Sequence, residues 1–151
     1  MRLTLLRSPS WPDPMADRGK HQLAYALYPH KGNWKEADTV HRGYEFNYPL
    51  LAYFTDSHTG KLPASHSFFR ASPSNIVLAA IKKAEDRESL ILRLYESEGE
   101  ETEALVEFFR KPKKIYELDL MENRLDSVPF EKNSLSLKFG KSEIKTIELV
   151  Y

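Results

Sequence analysis

The chain contains no cysteine. Disulfides and thiolate metal sites are thereby excluded, and a cytoplasmic setting is the expected one. Charge of one sign is also lacking: 22 Lys and Arg stand against 22 Asp and Glu, a formal net charge of +0. A protein that binds nucleic acid by neutralising phosphates is usually basic, so no nucleic-acid partner is expected. No apolar run approaches the roughly 20 residues that span a bilayer, and no membrane association is expected. Arg7 and the prolines that follow interrupt what would be the apolar core of a signal peptide.

What is present fits one soluble domain over residues 1–151. Hydrophobic residues make up 41% and charged residues 29% of 151 residues, and a chain of this size buries about 70% of its unfolded surface. Leu3–Ser8 reads as a short strand, so the chain starts inside a sheet and leaves an open edge. Residues 9–20 are irregular, because Pro9, Pro12 and Pro14 remove backbone donors and Gly19 permits positive φ. Stretches of about 12 unstructured residues are uncommon in compact domains and are often functional. His21–Tyr28 is apolar on both faces and reads as a central strand, with Tyr25 in the core.

One helix is expected. Asn33 and Glu36 make a capping-box pattern, and Trp34, Ala37, Val40, His41 and Tyr44 recur at helical spacing as a buried stripe. An extended segment, Leu50–Thr55, follows Pro49. The second half reads as strands: Phe68–Ala71, Ile76–Ala84, Leu90–Glu96, Ala104–Arg110, Tyr116–Leu120, Leu135–Phe139 and Ile144–Tyr151. Ser97–Glu101 is expected to join two of them as a hairpin loop. A slip in apolar phase between Ile144 and Ile147 suggests a bulge. Eight or nine strands with one short helix give an all-β fold, an antiparallel β-sandwich.

The chemistry is sparse. His21, His30, His41, His58 and His66 show no HxH, HxxxH or HExxH spacing, so no metal site is expected. There is no GxSxG elbow. Asp13 and Asp17 are close enough in sequence to suggest paired carboxylates, but loop acids more often form turns. Lys82–Glu88 reads as a solvated hairpin tip with weak mixed ion pairs. Trp34 and Tyr25 read as core. Trp11, in the proline-rich loop, is open to stacking on a sugar ring.

Several strings, in order, carry a resemblance. They are Leu3-Thr4-Leu5-Leu6-Arg7-Ser8-Pro9, Pro12-Asp13-Pro14-Met15-Ala16-Asp17-Arg18-Gly19 and Tyr25-Ala26-Leu27-Tyr28-Pro29-His30. Trp34, Phe46-Asn47-Tyr48-Pro49, Lys82-Lys83-Ala84-Glu85-Asp86, Leu92-Arg93-Leu94-Tyr95-Glu96 and Glu143-Ile144-Lys145-Thr146-Ile147 continue the pattern. Together they resemble the C-terminal region of α-mannosidases of glycoside hydrolase family 38. The resemblance implies a β-sandwich that is part of a galactose-mutarotase-like supersandwich. It also implies a retaining mechanism through a covalent mannosyl-enzyme, run by an N-terminal barrel that holds a zinc ion and an aspartate nucleophile. Neither barrel nor zinc ligands have a counterpart in this chain, so no catalytic residue and no cofactor are expected in it.

The expected partner is that catalytic barrel, as a domain or a separate subunit. By the same resemblance the Asp-Arg-Gly loop reaches toward the sugar site. Arg18 would donate to sugar hydroxyls or a catalytic carboxylate, or would instead pair with Asp17 or Asp13 to hold the loop. Asp13, Asp17, His21 and Trp11 are its candidate neighbours at a mannose-containing glycan. Two other readings stand beside this one. The chain could be a free carbohydrate-binding module that uses Trp11, or a structural protein that forms a homo-oligomer through its exposed sheet edge.

Overall fold

The structure is a computed structural model that describes residues 2–151. The chain divides into two compact units, 1–38 and 39–151. Among the described residues all strands lie in the second. They are β1 Phe69–Ser72, β2 Ile76–Lys83, β3 Leu90–Glu96, β4 Thr102–Phe108, β5 Lys114–Leu118, β6 Arg124–Ser127, β7 Ser134–Phe139 and β8 Ile144–Val150. They form two antiparallel sheets, β1-β4-β7 and β2-β3-β8-β5-β6. The all-β sandwich with one short helix is therefore present.

Each sheet's alternation explains its place. In β4 and β7, Ala104, Val106, Phe108, Leu135, Leu137 and Phe139 point to the core, and Leu105, Glu107, Ser136 and Lys138 between them point outward. Facing them from the larger sheet are Leu92, Leu94, Ile115, Ile147 and Leu149, all fully buried. Each such side chain contributes roughly 1.5–3 kcal/mol of transfer free energy. The larger sheet is also covered on its other face, where Ala84, Ile91 and Leu118 pack with Tyr116.

That double cover accounts for β8. Thr146, Ile147, Glu148 and Leu149 are buried in succession. The pairing with β3 runs unbroken from Leu90↔Leu149 to Tyr95↔Ile144, so the expected bulge is absent. Irregularities occur instead between Leu78 and Ala80 in β2 and between Tyr116 and Leu118 in β5. The expected hairpin across Ser97–Glu101 is also corrected. β3 and β4 lie in different sheets, and the loop carries the chain across the sandwich. Only β2–β3 and β5–β6 pair as sequential hairpins.

The helix, α1, spans Thr39–Asn47. The capping box forms upstream of it. Asn33 Oδ1 accepts from the N–H groups of Lys35 and Glu36 at 2.9 and 3.0 Å, and Glu36 accepts from the Asn33 N–H at 3.3 Å. Residues 34–38 make turns, and Asp38 has a φ of 53°, which interrupts helical propagation before Thr39. Ala37, Val40, His41 and Tyr44 are half-buried as the stripe predicted, but Trp34 is exposed.

The strands expected at Leu3–Ser8 and His21–Tyr28 are not formed. Both segments are exposed, and Tyr25, expected in the core, is 68% accessible. No backbone hydrogen bond joins residues 19–32 to another described residue. A strand is a pairing relation, and periodicity specifies the side-chain faces without supplying the neighbour. The edge that a first strand at Leu3–Ser8 would have left open is absent with it.

Candidate functional site

The proline-rich loop is a built turn. The Trp11–Pro12 peptide bond is cis. Asp13 Oδ1 accepts from the Met15 N–H at 2.8 Å, and the Asp13 carbonyl accepts from the Ala16 N–H at 3.2 Å. This is the side-chain-capped turn that short acidic residues favour. The Met15 carbonyl accepts from the Arg18 N–H at 3.2 Å. Asp17 adopts a φ of 58°, and its carbonyl accepts from His21 Nε2 at 2.7 Å. Asp13 is thus committed to the turn, while Asp17 and His21 are tied together through the backbone.

Trp11 is 85% accessible, and Asp13, Asp17, Arg18 and His21 are all exposed. The Arg18 guanidinium makes no ion pair with Asp13 or Asp17 among the described residues. What the loop presents is a fork of donors and one indole, on a backbone fixed by its own hydrogen bonds.

A second constellation lies on the outer face of the larger sheet, and sequence reasoning did not find it. Glu148, fully buried, sits at its centre. Arg124 Nε donates to Oε2 at 2.6 Å and Arg124 Nη2 to Oε1 at 2.9 Å, a two-point fork. Arg87 Nε and Ser89 Oγ donate to Oε1 at 3.1 and 2.6 Å. Arg124 also covers the Tyr116 ring, 4.2 Å from its centroid. The Arg124 fork, reinforced by Ser89 and Arg87, outweighs burial and holds the Glu148 carboxyl at about 2.

The Lys82–Glu88 tip is therefore more than a solvated turn. Lys83–Glu88 is an exposed pair, but Arg87, paired with the exposed Asp86, turns inward to Glu148 and to the Glu122 carbonyl. The available signal was a lone carboxylate inside the apolar run Ile147-Glu148-Leu149-Val150, which calls for buried partners.

Glu96, 1% accessible, is a third node. Its carboxylate accepts from the N–H groups of Glu98, Gly99, Glu100 and Ser142 at 2.7, 2.8, 3.1 and 2.9 Å, and from Asn75 Nδ2 at 3.0 Å. Burial pushes this carboxyl up, but the ring of donors overrides it and holds it at about 2. Both buried carboxylates are saturated and ionised, so neither is poised for proton transfer near neutral pH.

A polar cleft of about 380 Å³ opens beside the Glu148 cluster, between Lys82, Arg93 and Glu122. Lys82 Nζ lies 2.6 Å from Glu122 Oε1, and no aromatic ring lines the cleft. No three His, Asp or Glu side chains among the described residues converge to hold a metal ion. The zinc implied by the family resemblance does not fit a site in them.

The profile described as "Glycosyl hydrolases family 38 C-terminal beta sandwich domain" matches residues 75–147, the span from the start of β2 into β8. Alpha-mannosidase 2C1 of Mus musculus is 35% identical over 156 residues, covering 99% of this chain and 15% of its own length. The alpha-mannosidase of Saccharomyces cerevisiae is 31% identical, covering 100% of this chain and 16% of its own length. Alpha-mannosidase G of Dictyostelium discoideum is 32% identical over 98% of this chain. The chain thus spans about 15% of the curated relatives it matches. The matched span runs from β2 into β8, with β1 just ahead of it, and this match together with end-to-end similarity to these enzymes places the chain's sandwich among glycosyl hydrolase family 38 C-terminal β-sandwich domains.

Proposed function

We propose that this chain serves as the accessory C-terminal β-sandwich of an α-mannosidase, completing the enzyme without itself cleaving the glycosidic bond. The observation that carries this reading is the alignment of 99% of the chain with α-mannosidases of which it spans 15%. The two buried carboxylates support it. Glycoside hydrolysis needs a pair of carboxyl groups flanking the scissile bond, one held protonated by a raised pKa. Glu96 and Glu148 are each sealed inside their own hydrogen bonds and shifted the other way. In this reading the zinc ion and the nucleophile belong to the catalytic barrel, which is the partner.

The finer part of the proposal concerns the glycan. The turn at residues 11–21 forms one wall of the mannoside site, with Arg18 as the donor fork and Trp11 as an apolar plate. Its support is the free guanidinium and the exposed indole on a backbone already fixed by Asp13 and His21.

The test is hydrolysis of an aryl α-mannoside. The chain alone should give no turnover. The α-mannosidase polypeptide native to the same cell, joined to this chain or co-expressed with it, should co-purify with it and be active. Turnover by the chain alone, or failure of the two to associate, rejects the proposal.

A further inference from the structure

Residues 21–28 combine three properties that do not belong together in water. Their side chains are apolar on both faces, with Leu23, Tyr25 and Leu27 on one side and Ala24, Ala26 and Tyr28 on the other. Their backbone is neither helical nor turned, and its N–H and C=O groups bond to no described residue. Leu23, Tyr25 and Leu27 are all more than half accessible. Alternation with both faces apolar is the pattern of a strand covered twice. The segment is also anchored, because the Tyr28 hydroxyl donates to the Ala37 carbonyl at 3.0 Å, at the turn after the capping box.

We propose that residues 21–28 are an inner strand of a sheet whose neighbouring strands are contributed by the remainder of the α-mannosidase polypeptide. The inference rests on the accessory-domain reading. The occupant is argued from length: the relatives align with 99% of this chain yet extend over the other 85% or so of their own sequence. Strand addition satisfies the free main-chain groups, and the flanking sheet surfaces cover the two apolar faces. An edge position would leave one side of the backbone unpaired and would more often carry charge or proline. The run from His21 to Tyr28 has no acidic, lysine, arginine or proline residue.

Amide hydrogen exchange on the assembled enzyme tests this. Peptides covering 21–28 should be protected to the level of those covering 90–96, the inner strand β3, and at least 100-fold more than those covering 57–66. Exchange of 21–28 at the rate of 57–66, in an enzyme that assembles and is active, overturns the strand inference and leaves the accessory reading intact. Failure to assemble overturns both. Equal protection in this chain purified alone as a dimer assigns the neighbouring strand to a second copy and also overturns it. As a second measurement, Ala24→Pro removes one ladder donor and should lower recovery of the complex at least tenfold, whereas Ala24→Val should leave it intact. Equal recovery of both variants counts against the strand.

Discussion

Glu148 shows what a single buried charge does here. Its carboxylate is fully inaccessible, while the side chains of Arg87 and Arg124 that neutralise it are 28% and 41% accessible. Removing the carboxylate leaves two cations that can turn to water, so Glu148→Ala should cost about 3 kcal/mol, the low end for breaking a buried pair. Arg124→Ala leaves the anion with Arg87 and Ser89 and should cost less. Urea unfolding of both variants checks the order.

Glu96 and Glu148 also set the acid limit. Each is held at about 2 in the fold against an ordinary 4.5, which corresponds to about 3 kcal/mol apiece. A depressed carboxyl pKa stabilises the fold above its unfolded value, and this contribution is lost as protons bind the folded form. Stability should therefore hold from neutral pH to about 5 and fall steeply between about 5 and 2. Glu96→Gln and Glu148→Gln should each flatten that fall while starting from lower stability at pH 7. A variant whose acid profile parallels the parent would refute the assignment for that residue. At the loop, Arg18→Ala in the assembled enzyme should raise KM for an aryl α-mannoside roughly tenfold, the worth of a charged hydrogen bond, with the urea midpoint unchanged.

Among the elements, the crossing from β3 to β4 depends on one glycine. Gly99 has a φ of 74° and presents its N–H to Glu96 at 2.8 Å. A Cβ there would meet only Ser142 Oγ at 3.9 Å, so space is not limiting. The cost of Gly99→Ala is conformational, about 1–2 kcal/mol. Gly99→Asn should cost less, because asparagine tolerates the left-handed region. Equal loss in the two variants would point to contact rather than φ.

This loop also marks the limit of sequence reading. Alternation located β4, β5, β7 and β8 to within a few residues, since Ala104, Val106 and Phe108 or Leu135, Leu137 and Phe139 can face a core only as strands. It carried no information about which sheet each strand joins. A polar loop such as Ser97–Glu101 can close a hairpin or cross a sandwich, and the choice is made by Glu96, a carboxylate at the strand end. β6, four exposed residues with no apolar face, gave no periodic signal. Arg124 and Glu148 lie 24 residues apart in the chain and meet only because β5 lies between β6 and β8. The loop residues 11–21 were legible as a site candidate from proline and glycine chemistry, and the Asp13 turn follows directly from it.

Across the whole chain, apolar surface is distributed unequally. Every member of the main core cluster, with the partly buried residues against it, lies at Phe69 or beyond. Before that point Leu50 and Phe54 are fully exposed, as are most of Tyr25 and Leu27. Hydrophobic side chains in water add nothing to folding, and contiguous ones mark surfaces that another polypeptide covers. The sandwich should then be self-sufficient: a fragment of residues 69–151 should unfold cooperatively in urea, with a midpoint close to that of the whole chain. Among the described residues the cut removes Tyr44 beside Tyr95, whose hydroxyl burial and that neighbour push up to about 12, and Phe68, whose carbonyl accepts from the Phe109 N–H at 2.8 Å and whose ring packs edge-on against Phe109. Partly exposed hydrogen bonds contribute about 1 kcal/mol each, too little to decide folding. Binding of a hydrophobic dye should fall in the fragment, because the exposed leucines and aromatics leave with residues 2–68. A fragment that lost its cooperative transition would show that the first 68 residues take part in folding the sandwich, and would remove the basis for treating their exposed apolar side chains as an interface.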